Sequence, residues 1–199
     1  MAERASDRST KQAEILQALA ASLEEAPGSR ITTAELARVL GVSEAALYRH
    51  FPSKARMFEG LLDFTEETVF GRIALVLREE RLAAIRCQQI TQIVLAFAAR
   101  NPGLARLLVG DALVGEAERL RERVSRFFER LETQYRQVLR EAVLHEAAPP
   151  RMDAADIAGV LIAFVAGRLA LQVGSGFRRD PAEGLDRQWP RLTSGLFAP

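Results

Sequence analysis

The sequence predicts an all-α protein, with an N-terminal three-helix unit built around a helix-turn-helix and a second, C-terminal helical domain. Three observations carry that prediction. Almost every segment after the first ten residues repeats apolar side chains at helical spacing; no convincing alternating strand or hairpin turn appears; and helix start and stop signals punctuate the chain.

The first helix is expected from about Lys11 to Glu25, with Ile15, Leu16, Leu19 and Leu23 on one face, and Pro27-Gly28 ends it. Thr32 opens the second: its hydroxyl can cap the helix while Glu35 reaches back in a capping box, and Ile31 and Leu36 have the spacing of a hydrophobic staple. Leu36, Ala37 and Leu40 continue the apolar face until Gly41 stops it. In Gly41-Val42-Ser43 the glycine can take a positive φ, Val42 can enter the shared core and Ser43 can cap the next helix. That helix, Glu44–Phe51, turns Ala46 and Leu47 to the face of Val42 and leaves Glu44, Ala45, Tyr48 and Arg49 outward.

Pro52 disfavours helical geometry at Phe51, and Ser53 can cap a longer helix whose first residues include Lys54 and Arg56. Carrying Met57, Phe58, Leu61, Leu62, Phe64, Val69, Ile73 and Leu77, it should reach Glu79 or Glu80 and bridge two domains. Next come Ile85–Arg100, a break at Asn101-Pro102-Gly103, a short segment Leu104–Gly110 and a long helix from about Leu113 to Leu144. Pro149-Pro150 marks a loop, after which Asp153 can cap a strongly apolar helix from Ile157 to Leu171. Gly174, Gly176 and Pro181 interrupt it before a last helix around Leu185–Phe197.

Two short helices joined by a glycine turn, the second with an exposed face, suit the major groove of double-stranded DNA. The expected division is a DNA-binding domain over residues 1–53 and a second helical domain over 54–199, to which the resemblance given below assigns dimerisation and partner binding. Ser43, Glu44 and Ala45, at the start of the recognition helix, are the candidates for reading bases: a Glu can accept from cytosine N4 and an Ala methyl can meet a thymine methyl. A helix dipole also favours Glu44 there, so its role stays open. Thr32, Thr33, Tyr48, His50 and Lys54 have the donor chemistry that phosphate positioning needs, with packing as the alternative for Tyr48 and a core-edge hydrogen bond for His50. Phe51 is assigned to the core.

Composition narrows the class without revealing it. The chain has 199 residues, 48% of them apolar, and a net charge of +1, as in an ordinary soluble protein whose nucleic-acid affinity must come from a local patch. Cys87 is the one cysteine, so no intrachain disulfide forms and a reducing, cytoplasmic location is expected. No run of about 18 uninterrupted apolar residues and no signal-peptide core is present, so neither membrane insertion nor export is expected. The histidines are His50 and His145, and neither a Gly-rich phosphate loop nor a spaced metal-ligand set accompanies them. No enzyme activity, metal or cofactor is therefore expected.

The segment VSEAALYRHFPSKARMF, with its spacing of Tyr48, His50, Phe51 and Lys54, resembles the signature of TetR-type regulators. Beyond it, ITTAELA, the run Arg100-Asn101-Pro102-Gly103-Leu104, Phe128-Glu129-Arg130-Leu131-Glu132, Gln137-Val138-Leu139-Arg140-Glu141 and Trp189-Pro190 are similar to the nucleoid occlusion factors within that group. The resemblance implies a nucleoid-associated homodimer paired through its last helices. It would bind near-palindromic DNA and inhibit FtsZ, the tubulin-like division GTPase. It also implies that Thr32, Thr33, Tyr48, His50 and Lys54 clamp the DNA backbone, and that Phe64, Arg72, Arg100 and Asn101 form the FtsZ surface. Each of these four has a plainer alternative, as core, solvated charge or turn cap. The N-terminal arm departs from the basic pattern expected of such factors: Arg4, Arg8 and Lys11 alternate with Glu3, Asp7 and Glu14, so weaker electrostatic attraction follows. A conventional TetR-type repressor is the rival reading, in which Val94, Phe97, Leu108 and Phe127 could line a ligand cavity or fill a core.

Overall fold

A computed structural model describes residues 2–146 and 150–197 and is helical throughout its regular elements. The chain forms two compact units, residues 1–65 with 101–124, and residues 66–100 with 125–199.

The first unit holds α1 (Ala2–Glu25), α2 (Thr33–Leu40), α3 (Glu44–His50), the start of α4 (Lys54–Glu79), α6 (Pro102–Leu108), a 3-10 turn at Asp111–Leu113 and the start of α7 (Glu118–His145). The capping box forms as expected: Thr32 Oγ1 accepts from Glu35 N at 3.2 Å, and the Glu35 carboxylate accepts from Thr32 N at 2.9 Å. Gly41 closes α2 at φ 65° and Ser43 caps α3 by accepting from Ala46 N at 3.2 Å. Ile31, Leu36, Leu47, Phe51 and Phe58 are buried, so staple, turn and motif share one core.

The second unit holds the rest of α4 and α7 with α5 (Ala83–Arg100), α8 (Ala154–Gly174) and α9 (Leu185–Thr193). Its core packs Phe70 against Phe127 in a tilted contact, 5.2 Å between centroids, while the Arg130 guanidinium lies 3.8 Å from the Phe70 ring centre. Buried polar groups are paired across helices: Thr91 with Tyr135 at 2.8 Å, and Gln172 Nε2 donating to the Ala98 carbonyl at 2.8 Å. Arg86 donates to the carbonyls of Leu77 and Glu80 and to the Glu141 carboxylate, closing the connection between α4 and α5.

Several boundaries differ from the sequence expectation, five of them for an identifiable local reason; α3 also ends one residue early, at His50, and α8 extends to Ala154–Gly174. α1 begins at Ala2 rather than Lys11, because residues 2–10 lack an apolar stripe but also lack any Gly or Pro to stop a helix. α5 starts at Ala83, two residues early, where Ala83 N donates to the Glu146 carboxylate at 2.6 Å. α6 absorbs Pro102 and Gly103 instead of breaking there, since Pro suits a first helical turn. α7 starts at Glu118 rather than Leu113, because Gly115 takes φ 75°. α9 stops at Thr193; Ser194-Gly195 follows, and Leu196 reaches the core from a turn in which its N–H donates to the Thr193 carbonyl. Asp153 caps α8 as expected, donated to by Ala155 N at 2.7 Å, whereas Pro149 of the expected loop lies outside the described residues.

By length and composition α8 could cross a bilayer: its most apolar window has a mean hydropathy of 1.9, and a third of that window is buried. Val160 and Leu171 stand exposed on it. Helix α8 is thus neither a simple core helix nor covered within the described chain.

Candidate nucleic-acid interface

The expected DNA contacts gather at the starts of α2 and α3. Thr33 Oγ1 donates to the Glu44 carboxylate at 2.7 Å, and Tyr48 Oη donates to Thr33 Oγ1 at 3.4 Å. These three side chains, from two helices, form one polar cluster, with Tyr48 43% exposed on the outer side of α3. Ser43 and Ala45 are exposed beside Glu44 at the tip of the recognition helix, and Arg49 is exposed one position past Tyr48. The side chain of Leu47, fully buried, fixes which face of α3 remains outside.

Other candidates are partly engaged within the protein. The Thr32 hydroxyl donates to Glu35 at 2.9 Å as part of the capping box, and those hydrogen bonds from Thr32 hold the Glu35 carboxyl below its ordinary pKa. Lys54 Nζ pairs with Glu116 at 2.6 Å and sits 5.4 Å from the centre of the Phe58 ring, so it is not a free cation on the surface. His50 is half-buried at the end of α3; its main-chain carbonyl accepts from Gln12 Nε2 at 3.0 Å, and its Nδ1 is enclosed without a hydrogen-bond partner. Arg4 and Arg8 lie in α1, but their side chains are outside the described residues.

The four partner-surface candidates divide between the units. Phe64, 49% exposed, and the half-buried Asn101 line one cavity of the first unit, about 380 Å³, together with Leu61 and Leu104. Arg72 and Arg100 are exposed residues of the second unit. Asn101 also precedes α6 without making a side-chain cap.

The residues that could have lined a ligand cavity are all buried. Val94, Phe97 and Phe127 are buried in the second unit and Leu108 in the first, and none borders the cavities of about 530, 450 and 380 Å³. Cys87 is fully buried, and burial pushes its thiol pKa up, so the thiolate needed for nucleophilic chemistry is disfavoured.

Among the structural residues that escaped the sequence reading are Gln12 and Arg106. Arg106 is 1% exposed: Nη1 donates to the Leu23 and Ala26 carbonyls, Nη2 to the Ser29 carbonyl, and Nε to Asp111. Its signal was available, a single cation inside the apolar run Leu104-Ala105-Arg106-Leu107-Leu108, which has to be paired if buried. Gln12 carried no such signal.

The arrangement of a capped α2, a glycine turn and an exposed α3 defines a helix-turn-helix DNA-binding regulator. Residues 15–61 match the family model described as bacterial regulatory proteins, tetR family, and residues 79–197 match that of the tetracyclin repressor-like C-terminal domain of SlmA-like proteins. Within that class, the chain belongs to the family of the nucleoid occlusion factor SlmA. It is 54% identical over 182 residues to nucleoid occlusion factor SlmA of Alteromonas mediterranea, covering 92% of this chain and 93% of the relative. With the Shewanella sediminis factor of the same name it shares 55% identity over 175 residues, 88% of this chain and 89% of the relative. Among solved structures, the MbdR regulator from Azoarcus sp. CIB superposes with a TM-score of 0.77 at 16% identity, covering 96% of this chain and all of that one, which speaks for the fold alone.

Proposed function

We propose that the protein is a nucleoid occlusion factor that binds near-palindromic chromosomal sites as a homodimer and, so bound, inhibits FtsZ assembly and septum formation over the nucleoid. Residues 1–53 are the DNA-binding domain and residues 54–199 carry dimerisation and partner binding, in a cytoplasmic, nucleoid-associated protein. Identity above one half to SlmA factors over nearly the whole chain supports the class. The observation that carries the partner side is the exposed Phe64 at a groove shared with Asn101, because an exposed aromatic at the mouth of an apolar recess suits a protein anchor.

On the DNA side, Ser43, Glu44 and Ala45 read bases, while Thr32, Thr33, Tyr48 and His50 position phosphates, joined by Lys54 once it leaves its pairing with Glu116. Two recognition helices about 34–36 Å apart would occupy successive major grooves. Exposed Val160 and Leu171 on α8 supply the apolar face that pairing of C-terminal helices would cover. Phe64, Arg72, Arg100 and Asn101 engage FtsZ. If DNA strengthens that engagement, reciprocity requires FtsZ to strengthen DNA binding by the same factor.

Arg72→Asp tests the partner surface, because Arg72 is exposed and its reversal leaves the described core untouched. The expected result is weaker FtsZ binding with unchanged affinity for the specific duplex. Unchanged FtsZ binding in Arg72→Asp and Phe64→Ala alike would remove the surface from the proposal.

A further inference from the structure

Helix α1 borders both sites of the first unit. Gln12 Nε2 donates to the carbonyl of His50, the last residue of the recognition helix, at 3.0 Å. The adjoining positions Ala13, Leu16, Gln17 and Ala20 form one wall of the groove that holds Phe64 and Asn101. One helix therefore touches the end of α3 with one residue and the groove with the residues that follow.

The far end of α1 is pinned. A Cβ on Gly103 would fall 2.2 Å from the Ala20 carbonyl oxygen, so α6 crosses α1 at a separation only glycine permits. Three residues later Arg106 gathers the carbonyls of Leu23, Ala26 and Ser29 with four buried or half-buried bonds that include Asp111. A segment filling the groove that presses on α1 meets this fixed end on α6, and the displacement has to be taken up toward Gln12. The half-buried Gln12 bond is a polar tie between that part of α1 and α3.

We propose that Gln12 is a positioning residue that couples occupancy of the α1–α4–α6 groove to the setting of the recognition helix, with Gly103 and Arg106 anchoring α1 on the groove side. The inference rests on the reading of that groove as part of the FtsZ surface. A bond from an amide to a main-chain carbonyl contributes about 1 kcal/mol net, so its loss corresponds to a change of about fivefold in a coupling constant.

The test uses the full-length protein, purified FtsZ, the specific duplex and a random duplex. The quantity read is the ratio of FtsZ Kd without DNA to FtsZ Kd with saturating specific duplex, a ratio that a merely structural role leaves unchanged. Gln12→Met, close in size but without a donor, is expected to lower the ratio about fivefold while Tm and the DNA-free FtsZ Kd hold. Gln12→Glu, an acceptor of the same length facing the same carbonyl, is expected to act in the same direction and serves where the Met variant folds poorly. A wild-type ratio above one that both variants preserve overturns the coupling role. A wild-type ratio of one overturns the functional reading itself, and this inference with it.

Discussion

Thr33 Oγ1 donates to the Glu44 carboxylate across 2.7 Å, joining the first residue of α2 to the first residue of the recognition helix. An ionised carboxylate only accepts, so the single Thr33 proton is committed to Glu44, and the Tyr48 hydroxyl donates in turn to Thr33. Without DNA, both hydroxyl protons point inward toward a negative charge. Donation from Thr33 or Tyr48 to a phosphate requires that chain to be redirected, and a cytosine amino group offered to Glu44 supplies a replacement donor.

Glu44→Gln is therefore expected to raise affinity for random duplex, because a negative charge near the phosphates disappears, and to lower preference for the specific site. A base contact is worth about 1–3 kcal/mol, so the specific-to-random Kd ratio should fall at least about fivefold. Fluorescence anisotropy with both duplexes at one fixed salt concentration measures it. An unchanged ratio would assign Glu44 to the helix dipole alone.

Gly103→Ala should destabilise the first unit. The new methyl would meet the Ala20 carbonyl oxygen at 2.2 Å, and a main-chain atom cannot rotate away as a side chain can. Overpacking of this kind costs about 1–3 kcal/mol, equivalent to roughly 2–12 °C in Tm for a chain of this size. Differential scanning calorimetry provides the check.

Glu59 should contribute to acid sensitivity. A hydrogen bond from Arg119, opposed by desolvation and aided by Arg56, holds its carboxyl below the ordinary value of 4.5. Because the folded pKa lies below the unfolded one, this contribution is present above about pH 4.5 and is lost as pH falls through the lowered folded value. Glu59→Gln is expected to lower stability at pH 7, where the wild-type contribution is present, and to converge with wild type as pH falls through the lowered folded value, which flattens the acid limb of the stability curve. Urea unfolding across pH 3–7 follows it.

Removing residues 2–9 is expected to cost little DNA affinity at moderate salt, because Arg4 and Arg8 alternate with Glu3 and Asp7. The same segment opens α1 as helix, so helix content by circular dichroism should fall in parallel. A large affinity loss, measured by titration at two salt concentrations, would place a basic arm back in the interface.

What was legible in the sequence was whatever depends on neighbours along the chain. The capping box of Thr32 and Glu35, the positive φ of Gly41 and the Asp153 cap are local devices, and each forms as read. Where a contact joins distant segments, local pattern was silent. Gly103 looked like a break because its role, contact with Ala20, is made to another helix. Lys54 looked like a free donor, but Glu116 lies 62 residues away along the chain. Phe64 and Asn101 were named from separate segments, and only folding brings them to one groove.

The most direct measurement is sedimentation of FtsZ polymers formed with GTP, with and without this protein, in the presence of the specific duplex or a random duplex. The expected result is a change in polymer yield, or recovery of the protein with the polymer, only with the specific duplex, and its loss in Arg72→Asp. Tight DNA binding that leaves FtsZ polymers unaltered would contradict the division-inhibitor function and leave a TetR-type repressor.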